Sequence, residues 1–255
     1  MTKLSRTEKM LYQLRPYYFE LNRLLEDLLG NIKGVTHPAF EKRSTSGKIC
    51  LCLFTSDGGL CGVYNTTIIR AAEEFIKEKG KDKVRLITVG KRGFNYFKKR
   101  QVEVINSYIG AHGKYSDKLS KAIVAELIEL FLKKEVDAIY IAYMRFGSTI
   151  IHKPIIEKFL NLETREVSGS GYIFEPDAKK IIDVLIPKYL FMKMKLILLE
   201  SFTSEHAART VAMKMASDNA GELLTSLTLL RNKVRQAIIT QDIMEVISSS
   251  EALKG

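Results

Sequence analysis

In this 255-residue sequence, the stretch Thr55-Ser56-Asp57-Gly58-Gly59-Leu60-Cys61-Gly62 most resembles a reaction site. An apolar run that reads as a strand precedes it and a helical pattern follows it, which is where phosphate-cradling loops occur. Its glycines fit neither GxGxxG nor the P-loop, and no Lys-Ser/Thr pair follows Gly62. A tight strand-to-helix turn is the simpler expectation. Cys50-x-Cys52 on the strand is expected to send its thiols to opposite faces, and with Cys61 it forms no CxxC pair, so all three read as small buried side chains. His37, His112, His152 and His206 lack HExxH or HxxxH spacing, and no GxSxG nucleophile elbow occurs. The sequence therefore calls for no cofactor, no metal and no catalytic residue of its own.

The elements around that loop alternate. Lys48 to Phe54 reads as a buried strand, Tyr64 to Lys79 as a helix and Val84 to Val89 as a strand. Lys91 to Lys99 follows as a short helix and Val102 to Tyr108 as a strand. Ser116 to Lys134 is a helix opened by a Ser/Asp cap, and Ala138 to Met144 a further strand. Ser148 to Leu160 adds one more strand, and Glu163 to Gly171 a polar loop. Such alternation predicts an α/β domain with a Rossmann-like parallel sheet.

Both ends of the chain differ from this middle. Leu11, Leu14, Tyr18, Leu21, Leu25, Leu28 and Ile32 recur at spacings of three and four, a heptad seam that Pro16 lies off and that the glycines from Gly30 on bring to an end. Of the 16 glycines and five prolines, only Gly221 and Gly255 come after Pro187. There Met213, Ala216, Ala220, Leu223, Leu227, Leu230, Val234, Ala237, Gln241 and Met244 form a second seam. A helix from about 189 to 248 would be roughly 90 Å long, more than a domain of this size buries. The expected arrangement is an antiparallel coiled coil of the two terminal helices flanking the α/β domain. Residues 1–34 form the first helix, 47–175 the globular foot and 177–255 the long C-terminal helix, much of whose seam must find another protein.

The charge is as uneven as the glycines. Of the net +11, an excess of seven falls between 70 and 102, where eleven Lys/Arg face four acids, while after Pro187 nine Lys/Arg meet seven acids. A basic surface of this kind suits nucleic acid, acidic protein or anionic lipid. Phe94, Tyr96 and Phe97 lie among the cations without any RNP or helix-turn-helix pattern. No uncharged apolar run is long enough to span a membrane, and the first residues lead into no signal core. The odd cysteine count then points to a reducing compartment.

Two segments resemble one family, the gamma subunit of F-type ATP synthases. Phe54 to Asn65 is similar to that family's TSDRGLCGGxN stretch. The more specific likeness is Ser204-Glu-His-Ala-Ala-Arg209-Thr-Val-Ala-Met213, then Ser217 to Glu222, Asn232 to Gln241 and Glu245 to Ser248. Tyr172 to Pro176 and Ile186 to Leu190 match in order. The resemblance implies a non-catalytic rotor shaft whose partners are the alpha and beta subunits of the ring, an epsilon subunit and the membrane rotor c-ring. It implies no nucleic acid, and a peripheral place on the cytoplasmic face of the bacterial plasma membrane.

Residue by residue, the resemblance gives Arg209 the basic position that bonds the ring's lower catch loop. Gln236 and Thr240, with Arg235 beside them, take the polar upper catch. Ser56, Asp57, Gly59, Leu60, Cys61 and Gly62 carry the family's signature loop. Gly58 stands where the family has a basic residue, Val63 where it has glycine and Arg231 where it has an aromatic. The family also has a further helical segment before the stretch matching Lys3-Leu4-Ser5-Arg6, so either the start lies upstream or the shaft is shortened. The alternative is a basic α/β nucleotide- or RNA-binding module with a coiled-coil dimerisation tail.

Overall fold

The computed structural model describes residues 2–31, 38–41, 47–161 and 178–253. Helix α1, Lys3–Asn31, leads through a 3-10 turn at Pro38–Phe40 to strand β1, Ile49–Phe54. Then come α2 (Tyr64–Lys79), β2 (Val84–Val89), α3 (Lys91–Lys98), β3 (Val104–Tyr108) and α4 (Asp117–Leu132). β4 (Ala138–Phe146), β5 (His152–Leu160) and α5 (Ala178–Ala252) complete the chain. Ser116 caps α4 as expected, its hydroxyl accepting from the Leu119 N–H at 3.2 Å. His37, Ile32, Glu163 to Gly171 and Tyr172 to Pro176 lie outside the described residues.

The five strands form one sheet in the order β3-β2-β1-β4-β5. The first four are parallel, and β5 pairs antiparallel with β4. The expected parallel sheet is thus present, with one antiparallel strand added at its edge. The connection between β4 and β5 runs only from Gly147 to Ile151, too short for the crossover that a parallel strand needs. Pro154, which has no N–H to give a ladder, sits on this edge strand.

β1 is buried along all six residues because both of its faces are covered. Ile49, Leu51 and Leu53 meet α2 and α3 through Ile68, Ala72 and Phe97. Cys50, Cys52 and Phe54 belong to the other layer, with Ile123 and Leu127 of α4 and with α1 and α5. The two thiols thus share one face, contrary to the expectation, since a period of two returns residues 50 and 52 to the same side. Burial above all pushes the Cys50 thiol up to about 12 and Cys52 well above the ordinary thiol range. Cys61 is buried as well, so all three are thiols in the core.

Helices α1 and α5 share that second layer and run antiparallel. Leu11 and Leu14 cluster with Leu196, Leu199 and Ala207, whereas Leu21, Leu25 and Leu28 cluster with Ile182, Leu185 and Tyr189. Between these levels the Tyr18 and Tyr189 rings stack at 5.9 Å, and the Tyr189 hydroxyl donates to Asn22 Oδ1 at 3.0 Å. The predicted N-terminal seam is therefore the buried one, each leucine contributing about 1.5–3 kcal/mol by its removal from water.

α5 starts at Ala178 and carries Pro187 inside it. Proline forfeits one helical hydrogen bond there. Burial of Ile182, Leu185, Ile186, Tyr189 and Leu190 around it offsets that loss, which composition alone does not reveal.

The chain divides into two compact units, Met1–Val211 and Ala212–Gly255. In the second, Leu223, Leu227 and Leu230 on the predicted seam are each more than half exposed, and so are Met215, Leu229, Ile243 and Val246, which lie off it. Hydroxyls of this unit turn inward: Thr225, Thr228, Thr240 and Ser249 each donate to the carbonyl four residues back. No helix among the described residues is long and apolar enough to cross a membrane.

Candidate functional site

In an open α/β sheet, a ligand usually lies beyond the carboxyl ends of the strands, where the strand order reverses. Here the chain runs outward from β1 to β2 and β3 and then returns to β4 on the other side, so the reversal lies between β1 and β4. The loop at 55–62 leaves β1 at that point. Thr55 continues the strand: its N–H donates to the Val89 carbonyl at 2.7 Å, and its hydroxyl accepts from the Gly93 N–H at 2.9 Å.

Asp57 holds the loop over the neighbouring strand ends. One carboxylate oxygen accepts from the Lys91 N–H, at the start of α3, at 3.0 Å. The other accepts from the N–H groups of Gly110 and His112, after β3, at 3.2 and 2.7 Å. A helix N-terminus attracts an anion through its free N–H groups and its dipole. The anion at α3 is the chain's own carboxylate, so the loop supplies an anion where a nucleotide-binding turn would receive one. Asn65 closes the base of the loop, accepting from the Ser56 N–H at 3.0 Å and donating to Cys61 Sγ at 3.1 Å. Leu60 at the tip has a φ of 60° and is 73% exposed. Gly59 is also crowded, because a Cβ there would lie 2.7 Å from the Arg92 guanidinium.

The crevice itself is filled by α5. The Tyr64 hydroxyl donates to the Ser201 carbonyl at 3.1 Å, and the Ser204 hydroxyl to the Met144 carbonyl of β4 at 3.2 Å. Glu200 accepts from the Phe146 N–H at 2.8 Å and pairs with Arg15 of α1, which in turn donates to the Phe146 carbonyl at 2.6 Å. Nearby, buried Lys193 donates to the Lys158 carbonyl and faces Glu157 of β5. The crevice in which many α/β proteins hold a cofactor is here a clamp on the long helix.

Arg209 stands at the end of that clamp. It donates to the Gly59 carbonyl at 3.2 Å and to Glu205 at 2.7 Å, and lies 3.5 Å from His206 Nδ1. The other ring nitrogen of His206 is 3.0 Å from the Gly113 carbonyl. A carbonyl can only accept and a guanidinium can only donate, so Nε2 carries the proton and Nδ1 is bare. His206 is therefore neutral. Burial, with Arg209 adding to it, holds its pKa below the usual histidine value, while burial holds the Glu205 carboxyl above the usual carboxylate range against the pull of Arg209.

These shifts have opposite consequences for stability. The His206 contribution is complete above the ordinary histidine range, near 6.5, and is lost as pH falls through its lower folded value. The Glu205 contribution is complete below the ordinary carboxylate range and is lost as pH rises through its higher folded value. Wild-type protein should therefore lose more melting temperature between pH 7.5 and 5.5 than His206→Gln, as followed by circular dichroism. Equal slopes would mean that the neutral imidazole contributes nothing.

The signature loop and Arg209 are thus brought together in the first unit. Arg235, Gln236 and Thr240 lie on the exposed helix of the second, and the Thr240 hydroxyl already donates to the Gln236 carbonyl at 2.9 Å. Glu200, Arg15, Asn65 and His206 were not anticipated as site residues. The signal for Glu200 was a lone acid among Leu196 to Phe202, a pattern that leaves a charge nowhere to go except to a partner. Among the described residues no group of His, Cys, Asp and Glu could hold a metal ion.

The protein-family model described as ATP synthase matches residues 1–253. A relative from Anaeromyxobacter sp. (strain Fw109-5), named ATP synthase gamma chain, is 36% identical over 265 residues that cover 99% of this chain and 90% of the relative. The chain belongs to the ATP synthase gamma family. A second gamma chain, from Desulfitobacterium hafniense, is 37% identical over 254 residues, with coverage of 99% and 90%. In fold, the protein is similar to a chain of the Euglena gracilis mitochondrial ATP synthase OSCP/F1/c-ring assembly. The TM-score is 0.63 at 17% identity, and the match covers 98% of this chain and 94% of that one. A chain of the Tetrahymena thermophila central stalk and c-ring gives 0.58 at 19% identity, covering 83% and 99%. As a gamma chain, the protein is a central-stalk rotor subunit of ATP synthase, a membrane-associated complex, and the clamp described above is how this gamma chain holds its own shaft helix.

Proposed function

We propose that this gamma chain couples proton-driven rotation to conformational change in a ring of alpha and beta subunits, with all catalytic sites on the beta subunits and none on this chain. The observation that carries this reading is the second unit. Its helix exposes apolar side chains both on and off one seam, and a helix that is apolar on several sides is one that a partner surrounds. A ring supplies such a partner where a two-stranded coiled coil would cover only one stripe. The inward-turned hydroxyls of Thr225, Thr228, Thr240 and Ser249 have their protons engaged within the helix, which suits a rotor that must grip weakly and keep turning.

In this reading residues 1–34 and 177–255 form the shaft and 47–175 the foot. The foot meets an epsilon subunit and the membrane c-ring on the cytoplasmic face of the bacterial plasma membrane. Arg235, Gln236 and Thr240 supply the upper ring contact. Thr240 takes part through its free lone pairs, because its proton is engaged. Arg209 serves the lower contact while tied to Gly59 and Glu205, so its approach to the ring is set by the signature loop. As each ring subunit passes a different side of the shaft, its nucleotide affinity shifts by differential contact.

The test is reconstitution. Purified full chain should show no ATP hydrolysis, and should co-elute with alpha and beta subunits as one complex with ATPase activity. Turnover by the chain alone, or failure to enter that complex, would overturn the proposal.

A further inference from the structure

Most of the excess charge between residues 70 and 102 has no role in the clamp. Part of it converges on one cleft of about 560 Å³ between α2 and α3. Asn65, Thr66, Ile69, Arg70 and Glu73 line it from α2; Arg92, Asn95, Tyr96, Lys99 and Arg100 line it from α3 and the turn after it. Four cations therefore meet one acid. That acid is already engaged: Glu73 accepts from the Tyr96 hydroxyl at 2.7 Å and forms an ion pair with Arg100 at 3.4 Å. The Arg100 guanidinium also lies 3.6 Å from the centre of the Tyr96 ring, which fixes its plane. Among the described residues no carboxylate pairs with Arg70 or Lys99, and both are exposed.

We propose that this cleft binds a soluble compound carrying several phosphate groups. Guanidinium forks and an ammonium arranged around one concavity match phosphate oxygens in geometry as well as in sign. Asn95 and Thr66 add neutral donors at the rim. The cleft has the size of a small-molecule site, and Ile69 with Tyr96 gives it an apolar wall. A single phosphate would meet only some of the cations, whereas a chain of phosphates spans them. Concavity argues for a soluble ligand, since a lipid headgroup held in a flat membrane surface reaches a convex or flat patch more readily than a cleft between two helices.

The test is calorimetric titration of the full chain with sodium tripolyphosphate at about 0.15 M salt, where scattered surface charges are largely screened. The expected result is saturable 1:1 binding that Arg70→Gln/Lys99→Gln weakens by at least about tenfold. Lys81→Gln/Lys83→Gln, which removes two exposed charges just after α2, should leave it unchanged. All four side chains are exposed, so neither double variant disturbs the core. A parallel arm measures sedimentation with phosphatidylglycerol vesicles. Non-saturable heats, equal weakening by both double variants, or vesicle binding without tripolyphosphate binding would each overturn the proposal.

Discussion

Glu200→Ala lowers the unfolding free energy of the first unit by about 3–5 kcal/mol, the usual result of stranding one partner of a buried ion pair. Glu200 is nearly inaccessible, and the substitution leaves two groups without their acceptor: the Arg15 guanidinium on α1 and the Phe146 N–H at the end of β4. Three elements meet at this carboxylate, so its loss loosens α1, α5 and the sheet from one another together. Glu200→Gln should cost less, because its carbonyl oxygen can still accept from Phe146. Arg15→Met combined with Glu200→Met should recover part of the loss, because no charge is then left buried and alone. Urea denaturation of the four proteins checks the order. A Glu200→Ala cost below about 1 kcal/mol, the level of a surface pair, would show that the clamp does not hold the helix.

Gly90→Ala is the second large effect. Gly90 links β2 to α3 at a φ of 103°, and a Cβ there would lie 2.1 Å from the Thr55 carbonyl oxygen and 2.8 Å from its hydroxyl. Both are fixed by β1 and by the bond to Gly93, so neither can yield without moving the signature loop. Backbone strain of about 1–3 kcal/mol and overpacking of about 1–3 kcal/mol together give a loss of about 2–6 kcal/mol. Gly110→Ala separates the two. Its φ is 93° but nothing lies within 4 Å of the added carbon, so only the strain applies. Thermal melts should place Gly110→Ala between wild type and Gly90→Ala. Equal melting points for the two variants would show that the clash costs nothing.

The sequence made the helices and strands legible where periodicity was strong. Tyr64–Lys79 and Val84–Val89 lie where the pattern put them, and the leucines from Leu11 to Leu28 are buried as a seam should be. The antiparallel β5 was less visible because a strand's own pattern does not encode its direction. That a helix would run through Pro187 was not visible in the residue itself, which reads as a breaker, whereas tertiary burial carried the helix through. The signature loop was recognisable as a segment but not as a device. Nothing in Thr55 to Gly62 says that Asp57 reaches three backbone N–H groups from two other loops, or that α5 fills the crevice beyond the strands. Those contacts join residues far apart in sequence, and only the fold brings them together.

A rotor subunit must turn, and that motion can be watched directly. Cys50, Cys52 and Cys61 are buried, and Ile150 in the β4–β5 connection is 81% exposed, so Ile150→Cys offers a labelling point on the first unit. In a complex assembled from the Ile150→Cys chain with the other subunits of ATP synthase and fixed through them, a bead attached to the introduced thiol would be followed while ATP is supplied. The predicted result is stepwise rotation in one direction, at a rate that follows ATP hydrolysis. Continued hydrolysis with a bead that stays still, in complexes shown to contain the chain, would contradict it.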